Sequence, residues 1–287
     1  MSEFVIFTDS SCDIKPEVLK EWGVYSKPLH MHFEGESTLY MDNELSSDEF
    51  YTKMRAGAVA KTSAVNSEEF IEGFEPLLKE GKDVLYMGIS SGISTTFNSA
   101  RLAALELNEK YQNKVIVIDT LAASAGVGLI VYLALKKKAE GATIEETAAY
   151  IESIKHNVSI WLTVDDLVYL KRGGRVSPTA AFLGNLLGVK PIIHMDEAGK
   201  LIPVTKVRGR KLAIDTLAKK YEELATDLKD NTLFISHADC EADARKLEAI
   251  LAEKYGAKVE VITGIGSVIG AHAGPGTIAF FFIGKEK

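Results

Sequence analysis

The sequence predicts an α/β protein made of two α/β domains, the first a mainly parallel sheet with helices on both faces. Three observations carry that reading. Short apolar runs at residues 4–7, 84–89 and 115–119 have the length and composition of buried strands. The latter two lead through turns rich in small and hydroxyl residues into helix-patterned segments, and strand-helix alternation is how a parallel sheet covered by helices is written. At residue 159 the pattern changes and a second series of strands and helices begins, which divides the chain into an N-terminal domain of residues 1–158 and a C-terminal domain of residues 159–287.

Taken in order, the first strand at residues 4–7 ends in Thr8-Asp9-Ser10-Ser11, and a short helix opens near Pro16, whose fixed φ suits a first helical turn. Polar groups directly after a buried strand stand at the carboxyl edge of the sheet, where open α/β folds bind ligands. Residues 24–33 alternate in part and read as one further strand. It carries His30 and His32 on one face, and without a third ligand in sight these read as ordinary histidines. Residues 46–54 read as a helix capped by Ser47, and Ser67 caps the helix that carries Phe70, Phe74 and Leu77. Thr62 and Ser63 precede that helix in extended chain, available as donors. After the strand at 115–119, the small residues from Thr120 to Gly128 begin a helix able to approach a sheet or a ligand closely, and residues 143–156 form the helix that closes the first domain.

In the second domain residues 160–164 form a strand, 166–170 a helical turn, Lys171-Arg172-Gly173-Gly174-Arg175 a glycine-hinged basic loop, and 180–187 a small apolar helix. Residues 189–195 and 201–207 make a hairpin around 196–199, and a helix runs from Arg208-Gly209-Arg210-Lys211 to Leu228. Strands at 232–236, 258–263 and 278–283 and a helix at 241–255 complete the domain. The glycines of residues 264–276 lack the third glycine of G-x-G-x-x-G, because position 269 is Ile269. They read as a flexible loop bringing His272 toward a ligand.

Composition bounds the function. The 287 residues are 46% hydrophobic and 25% charged, the profile of a folded globular protein. A net charge of −7 argues against a broad nucleic-acid footprint. The start of the chain lacks the pattern of a secretory leader, no apolar run is long enough to span a bilayer, and Cys12 and Cys240 lack metal-type spacing, so a cytoplasmic protein with reduced thiols is expected.

The most informative stretch is residues 83–101. A strand runs into a helix through Gly88-Ile-Ser-Ser-Gly-Ile-Ser-Thr-Thr96, and such a turn offers unpaired backbone N–H groups and several hydroxyls to an anion. Simple helix capping uses the same residue types. A third reading is enzymatic: Gly88-Ile-Ser90-Ser-Gly92 fits the G-x-S-x-G nucleophile elbow of an α/β serine hydrolase (esterase), with Asp119 or Asp239 and His272 following Ser90 in triad order.

The chain resembles the DegV family of bacterial fatty-acid-binding proteins, better-understood members of which are lipid-binding subunits of fatty acid kinase. Thr8-Asp-Ser-Ser, Thr62-Ser-Ala, Ser90-Ser-Gly-Ile-Ser94, Ile118-Asp-Thr, Leu170-Lys-Arg-Gly-Gly-Arg175, Gly188-Val-Lys-Pro-Ile-Ile193 and Gly270-Ala-His-Ala-Gly-Pro-Gly276 carry the resemblance almost end to end. Thr95, Thr120 and Ala64-Val65 stand where members commonly have Gly, Ser and Gln-Pro.

The resemblance implies a fatty acid held between the two domains, with Thr62 and Ser94 as direct carboxylate donors and His272 and Arg172 completing the polar end. It also implies a non-catalytic carrier, without cofactor or metal, that presents the acid to a separate kinase subunit and carries the acyl-phosphate toward phospholipid synthesis. Transient membrane contact would serve lipid exchange, and Arg208, with Arg210 and Lys211, would dock the kinase. The chain itself has no G-x-x-x-x-G-K-[ST] loop to hold ATP. The physical sense of such a ligand is plain: a carboxylate leaving water needs charge-assisted hydrogen bonds. The tail supplies the affinity, about fifteen methylenes at ~0.8 kcal/mol each giving on the order of 12 kcal/mol before ordering costs. Phe182, Leu183, Leu186, Leu187, Ile193 and Phe281 are the candidate tail contacts.

Overall fold

The computed structural model describes residues 3–176 and 188–287. The first part runs β1 (Phe4–Asp9), α1 (Pro16–Glu21), β2 (Tyr25–Lys27), β3 (His30–Phe33), β4 (Tyr40–Met41), α2 (Ser47–Arg55), β5 (Ala60–Ser63), α3 (Ser67–Lys79), β6 (Asp83–Gly88), α4 (Thr96–Lys110), β7 (Val115–Asp119), α5 (Ala125–Ala139) and α6 (Ile144–Ile154). The second runs β8 (Val158–Thr163), α7 (Val168–Arg172), β9 (Val189–Met195), β10 (Leu201–Arg208), α8 (Arg210–Leu224), β11 (Leu233–His237), α9 (Glu241–Tyr255), β12 (Val259–Gly264), α10 (Ser267–Ala273) and β13 (Ile278–Ile283).

β2-β1-β6-β7 form a fully parallel sheet, β4-β3-β5 a small antiparallel one, and β10-β9-β8-β13-β11-β12 a mixed sheet in which β11 and β12 are the parallel pair. The strands sort their side chains with period two. In β13, Ala279 and Phe281 face α5, whereas Phe280 and Phe282 pack with Tyr221 and Leu217 of α8. In β1, Phe4 and Ile6 look toward α5, and Val5 and Phe7 toward Phe70 and Phe74 of α3.

α5 joins the two large sheets. Its residues from Ala125 to Val131 are all buried, the mark of a helix apolar on every side and enclosed by protein. It packs on β1 and β6 of one sheet and on β8, β11 and β13 of the other. Close approach depends on its glycines: a Cβ at Gly126 would lie 2.8 Å from Phe281 Cδ1, and one at Gly128 2.7 Å from Ile14 Cγ1.

Several local expectations are corrected. Residues 24–33 are two strands in different sheets, interrupted at Pro28, which has no N–H for a ladder. Ser46, not Ser47, caps α2: its Oγ accepts Glu49 N at 3.2 Å. Asn66, not Ser67, caps α3, in a reciprocal box where Asn66 Oδ1 accepts Glu69 N at 3.0 Å and Glu69 Oε2 accepts Asn66 N at 2.8 Å. α8 ends at Leu224, short of Leu228. The glycine-rich segment 264–276 contains a helix, α10, rather than being a flexible loop. The helix expected at 180–187, with Phe182, Leu183, Leu186 and Leu187, lies outside the described residues.

Candidate functional site

The site forms at the carboxyl edge of the parallel sheet, where the loops after β1, β6 and β7 meet elements of the second half. Asp9, fully buried, closes β1. Its carboxylate accepts Tyr86 OH at 2.6 Å, Ile89 N at 3.3 Å and the N–H and hydroxyl of Ser11, while burial raises its pKa against those hydrogen bonds. Asp9 therefore fixes where the loop after β6 begins. Gly88 is required beside it, since a Cβ there would lie 1.9 Å from Tyr86 Oη and 2.5 Å from Asp9 Oδ2.

The loop then turns back on itself. Ser90 N donates to Ala122 O at 2.8 Å, and Ser94 N donates to Ser90 O at 3.1 Å. Ser94 Oγ accepts Thr96 N at 3.2 Å at the start of α4, with Thr96 Oγ1 3.0 Å away. After β7, Asp119 Oδ1 accepts Ser91 N at 3.2 Å and Leu121 N at 3.1 Å. Leu121 and Ser124 hold positive φ, 52° and 55°, strain that the surrounding contacts sustain.

Thr62 reaches the same space from β5. Its Oγ1 lies 2.8 Å from Nε2 of His272 on α10. Burial, and secondly the Arg175 cation, push the His272 pKa down to about 4, so the ring is neutral at pH 7. Nδ1 has no hydrogen-bond partner among the described residues and faces Gly173, where a Cβ would come within 2.1 Å of it. A buried lone pair costs less than a buried unpaired N–H, which assigns the proton to Nε2. Nε2–H then donates to Thr62 Oγ1, leaving the threonine hydroxyl proton for a ligand acceptor.

These groups share one cavity of about 470 Å³. Its polar lining includes Thr62, Ser91, Ser94, Asn98, Arg175 and His272. Its apolar walls include Ile160, Leu162, Met195, Leu201, Ala279 and Phe281 from the second sheet. Phe281 thus lines the cavity, whereas Ile193 is packed in the core on β9 without reaching it.

Among the described residues, the cation lining the cavity is Arg175. Its Nε donates to Ile93 O at 3.0 Å and Nη1 to Gly173 O, and burial lowers its pKa. Arg172, expected at the polar end, is instead exposed on α7 with its guanidinium 5.8 Å over the Tyr169 ring, and it does not line the cavity. The physical reason is helical direction: α7 ends at Arg172, and the turn through Gly173 and Gly174 (φ +71°) redirects the chain so that Arg175 enters. Sequence reading missed Asn98 as well. It stands in the first turn of α4, just past the hydroxyl-rich loop that carries Ser94, a position that could have suggested it.

The serine-hydrolase constellation does not assemble. Ser90 is fully buried, donating its hydroxyl to Gly199 O at 2.9 Å and accepting Gly92 N at 3.0 Å. His272 is engaged by Thr62, Asp119 by backbone N–H groups, and Asp239 by Arg55. The glycines of the motif serve packing: a Cβ on Gly92 would lie 2.5 Å from Ala198 O at the tip of the β9–β10 hairpin.

Among the described residues no group of three or more His, Cys, Asp or Glu is arranged for a metal. His30 lies 3.5 Å from Glu69. Burial raises the pKa of both thiols, that of Cys240 to about 11. Among the described residues no helix is long and apolar enough to cross a membrane. Arg208 is exposed at the end of β10, whereas Arg210 is paired with Asp243 and Asp165, and Lys211 with Asp215.

Comparison with known proteins agrees with this architecture. A DegV domain-containing protein of Clostridium perfringens is 41% identical over 291 residues, covering 100% of this chain and 99% of that protein. A Thermotoga maritima protein named fatty acid-binding protein is 36% identical over 283 residues, 96% of each chain. The solved structure of a fatty-acid-binding DegV family protein from Thermus thermophilus superposes with a TM-score of 0.88 at 32% identity, covering 99% of this chain and 100% of that one. The family model described as "Uncharacterised protein, DegV family" matches residues 3–285, and the chain belongs to the DegV family.

Proposed function

We propose that this protein binds one long-chain fatty acid between its two halves, residues 1–158 and 159–287. The observation that carries the reading is a cavity lined by apolar side chains together with two hydroxyls, a neutral histidine and a half-buried arginine. Thr62 and Ser94 donate to the carboxylate, His272 orients Thr62, and Arg175 supplies the compensating charge. Hydrogen bonds of this charge-assisted kind are what a carboxylate needs on leaving water, and the tail gains by leaving it. The fatty-acid-binding relatives support the ligand class.

The protein is a carrier rather than a catalyst, and it presents the bound carboxylate to a separate kinase that forms the acyl-phosphate for phospholipid synthesis. Arg208 is the docking residue on this reading: it is exposed and carries its charge beside a sheet edge, while its neighbours Arg210 and Lys211 are ion-paired. Arg172, exposed beside Tyr169, is assigned to that surface rather than to the carboxylate.

Displacement of a fluorescent long-chain fatty acid tests the binding reading. The free acid is expected to compete at least tenfold better than its methyl ester, because the ester loses the charge that Arg175 answers. Equal competition would oppose it. For the docking role, Arg208→Glu is expected to leave fatty-acid affinity unchanged and to abolish phosphorylation by an added fatty acid kinase; undiminished turnover would refute it.

A further inference from the structure

The glycine-rich segment around His272 has a packing logic of its own. α10 is only seven residues long, and it is held from below by residues that do not line the cavity. Tyr51 of α2 is fully buried and donates its hydroxyl to Ile265 O at 2.9 Å, just ahead of the helix. Gly270, in the middle of α10, rests on this ring and its neighbour: a Cβ there would meet Tyr51 Oη at 2.5 Å and Phe50 Cε1 at 2.9 Å. Asp42, buried after β4, accepts Ser267 Oγ at 2.7 Å and Val268 N at 3.2 Å. Asp13 Oδ1 accepts Gly266 N at 2.8 Å. On the other side, α7 closes on α10 through Gly173 against the His272 ring and through Gly274 against Tyr169.

We propose that Tyr51 and Asp42 are positioning residues for His272: with Gly270 they form a seat that sets the height of α10, and that height decides whether Nε2 reaches Thr62. The Thr62–His272 separation is 2.8 Å, so a rise of α10 by even part of an ångström breaks the bond. Gly270→Ala forces such a rise. The new methyl has to retreat by roughly 0.9 Å to move from 2.5 Å to ordinary contact with Tyr51. The effect on ligand affinity rests on the fatty-acid reading; the effect on His272 does not.

The test combines two readouts in folded protein, checked by circular dichroism. Imidazole nitrogen resonances of His272 in ligand-free protein report the Thr62 bond directly. Gly270→Ala is expected to move them toward those of an unbonded, tautomer-averaged ring. The same variant is expected to bind a long-chain fatty acid about tenfold more weakly while binding the matching long-chain alcohol within about twofold of wild type. A structural defect without a positioning role would weaken both ligands together. Tyr51→Phe in the Gly270→Ala background removes the atom that the methyl meets first and is expected to recover at least threefold in acid affinity, a non-additivity that marks direct coupling. Tyr51→Phe alone loses only the bond to Ile265 and provides a milder variant if Gly270→Ala does not fold, with a shift in the same direction. Unchanged His272 resonances in these variants would overturn the proposal. A wild-type protein that bound neither ligand would refute the fatty-acid reading, while the resonances would still decide the seat.

Discussion

Replacing Arg175 with glutamine separates the two arginines of the Lys171-Arg172-Gly173-Gly174-Arg175 loop. Arg175 carries its charge into the cavity wall, and its hydrogen bonds go to Ile93 O, one residue before Ser94, and to Gly173 O, which backs the His272 ring. The side chain therefore acts on the carboxylate as a cation and also on the two segments that hold the other donors. A hydrogen bond to a charged group contributes about 1.5–3 kcal/mol, so Arg175→Gln is expected to raise the fatty-acid Kd about 10- to 150-fold. Half-burial limits screening, and much of the loss will persist at high salt. Arg175→Lys keeps the charge as a compact point but cannot reproduce the Nε bond to Ile93, so it will fall between the two. Arg172→Gln, outside the cavity, is expected to change Kd by less than about twofold. Displacement titrations with a fluorescent fatty acid at low and high salt measure all three. A larger loss in Arg172→Gln than in Arg175→Gln would show that Arg172, not Arg175, answers the carboxylate.

Four further outcomes follow from the same geometry. Thr62→Val keeps shape but removes the donor and strands His272 Nε2–H, so it is expected to cost about 1–3 kcal/mol in both stability and carboxylate binding, read by thermal melting and by titration. Ser94→Ala is expected to weaken binding by about tenfold with a smaller effect on the melt, and equal affinity in either variant would exclude these hydroxyls as donors. His272 is neutral when folded down to a pKa of about 4 against its ordinary 6.5, so its contribution to stability is fully present above 6.5 and is lost as pH falls toward 4. That share amounts to about 3 kcal/mol, and His272→Gln should flatten the stability-pH curve across the window; an unchanged slope would show that the ring is not buried neutral. Gly92→Ala drives a methyl into Ala198 O and Gly199 O at the hairpin tip, and is expected to cost about 1–3 kcal/mol of stability in denaturant unfolding, where an unchanged midpoint would deny the contact.

Much of this architecture was legible in sequence because burial writes itself in periodicity. The apolar runs at β1, β6, β7 and β13 and the small-residue character of α5 all appear where patterning indicates. Hydroxyls, glycines and the family resemblance point to Thr62, Ser94 and His272 in the sequence, and the fold brings Thr62 and His272 into direct contact and Ser94 to the same cavity. What escaped were relations set by long-range approach. Whether Arg172 or Arg175 enters depends on the direction of a two-glycine turn, which composition does not encode. The Gly88-Ile-Ser90-Ser-Gly92 motif looks catalytic until the hairpin tip is seen against it, since Ala198 and Gly199 lie more than a hundred residues away in sequence. Residues 264–276 look flexible by glycine content, yet Gly266 and Gly270 are there because carboxylates and an aromatic ring press against their Cα atoms.

Fatty-acid binding is tested most directly by mass spectrometry of the small molecules extracted into organic solvent from purified, untreated protein. Close to one equivalent of a saturated or monounsaturated long-chain fatty acid per chain is expected, strongly depleted in the Thr62→Val, Ser94→Ala double variant. An empty protein that could not be loaded with fatty acid, or one that hydrolysed an ester in a manner abolished by Ser90→Ala, would contradict it.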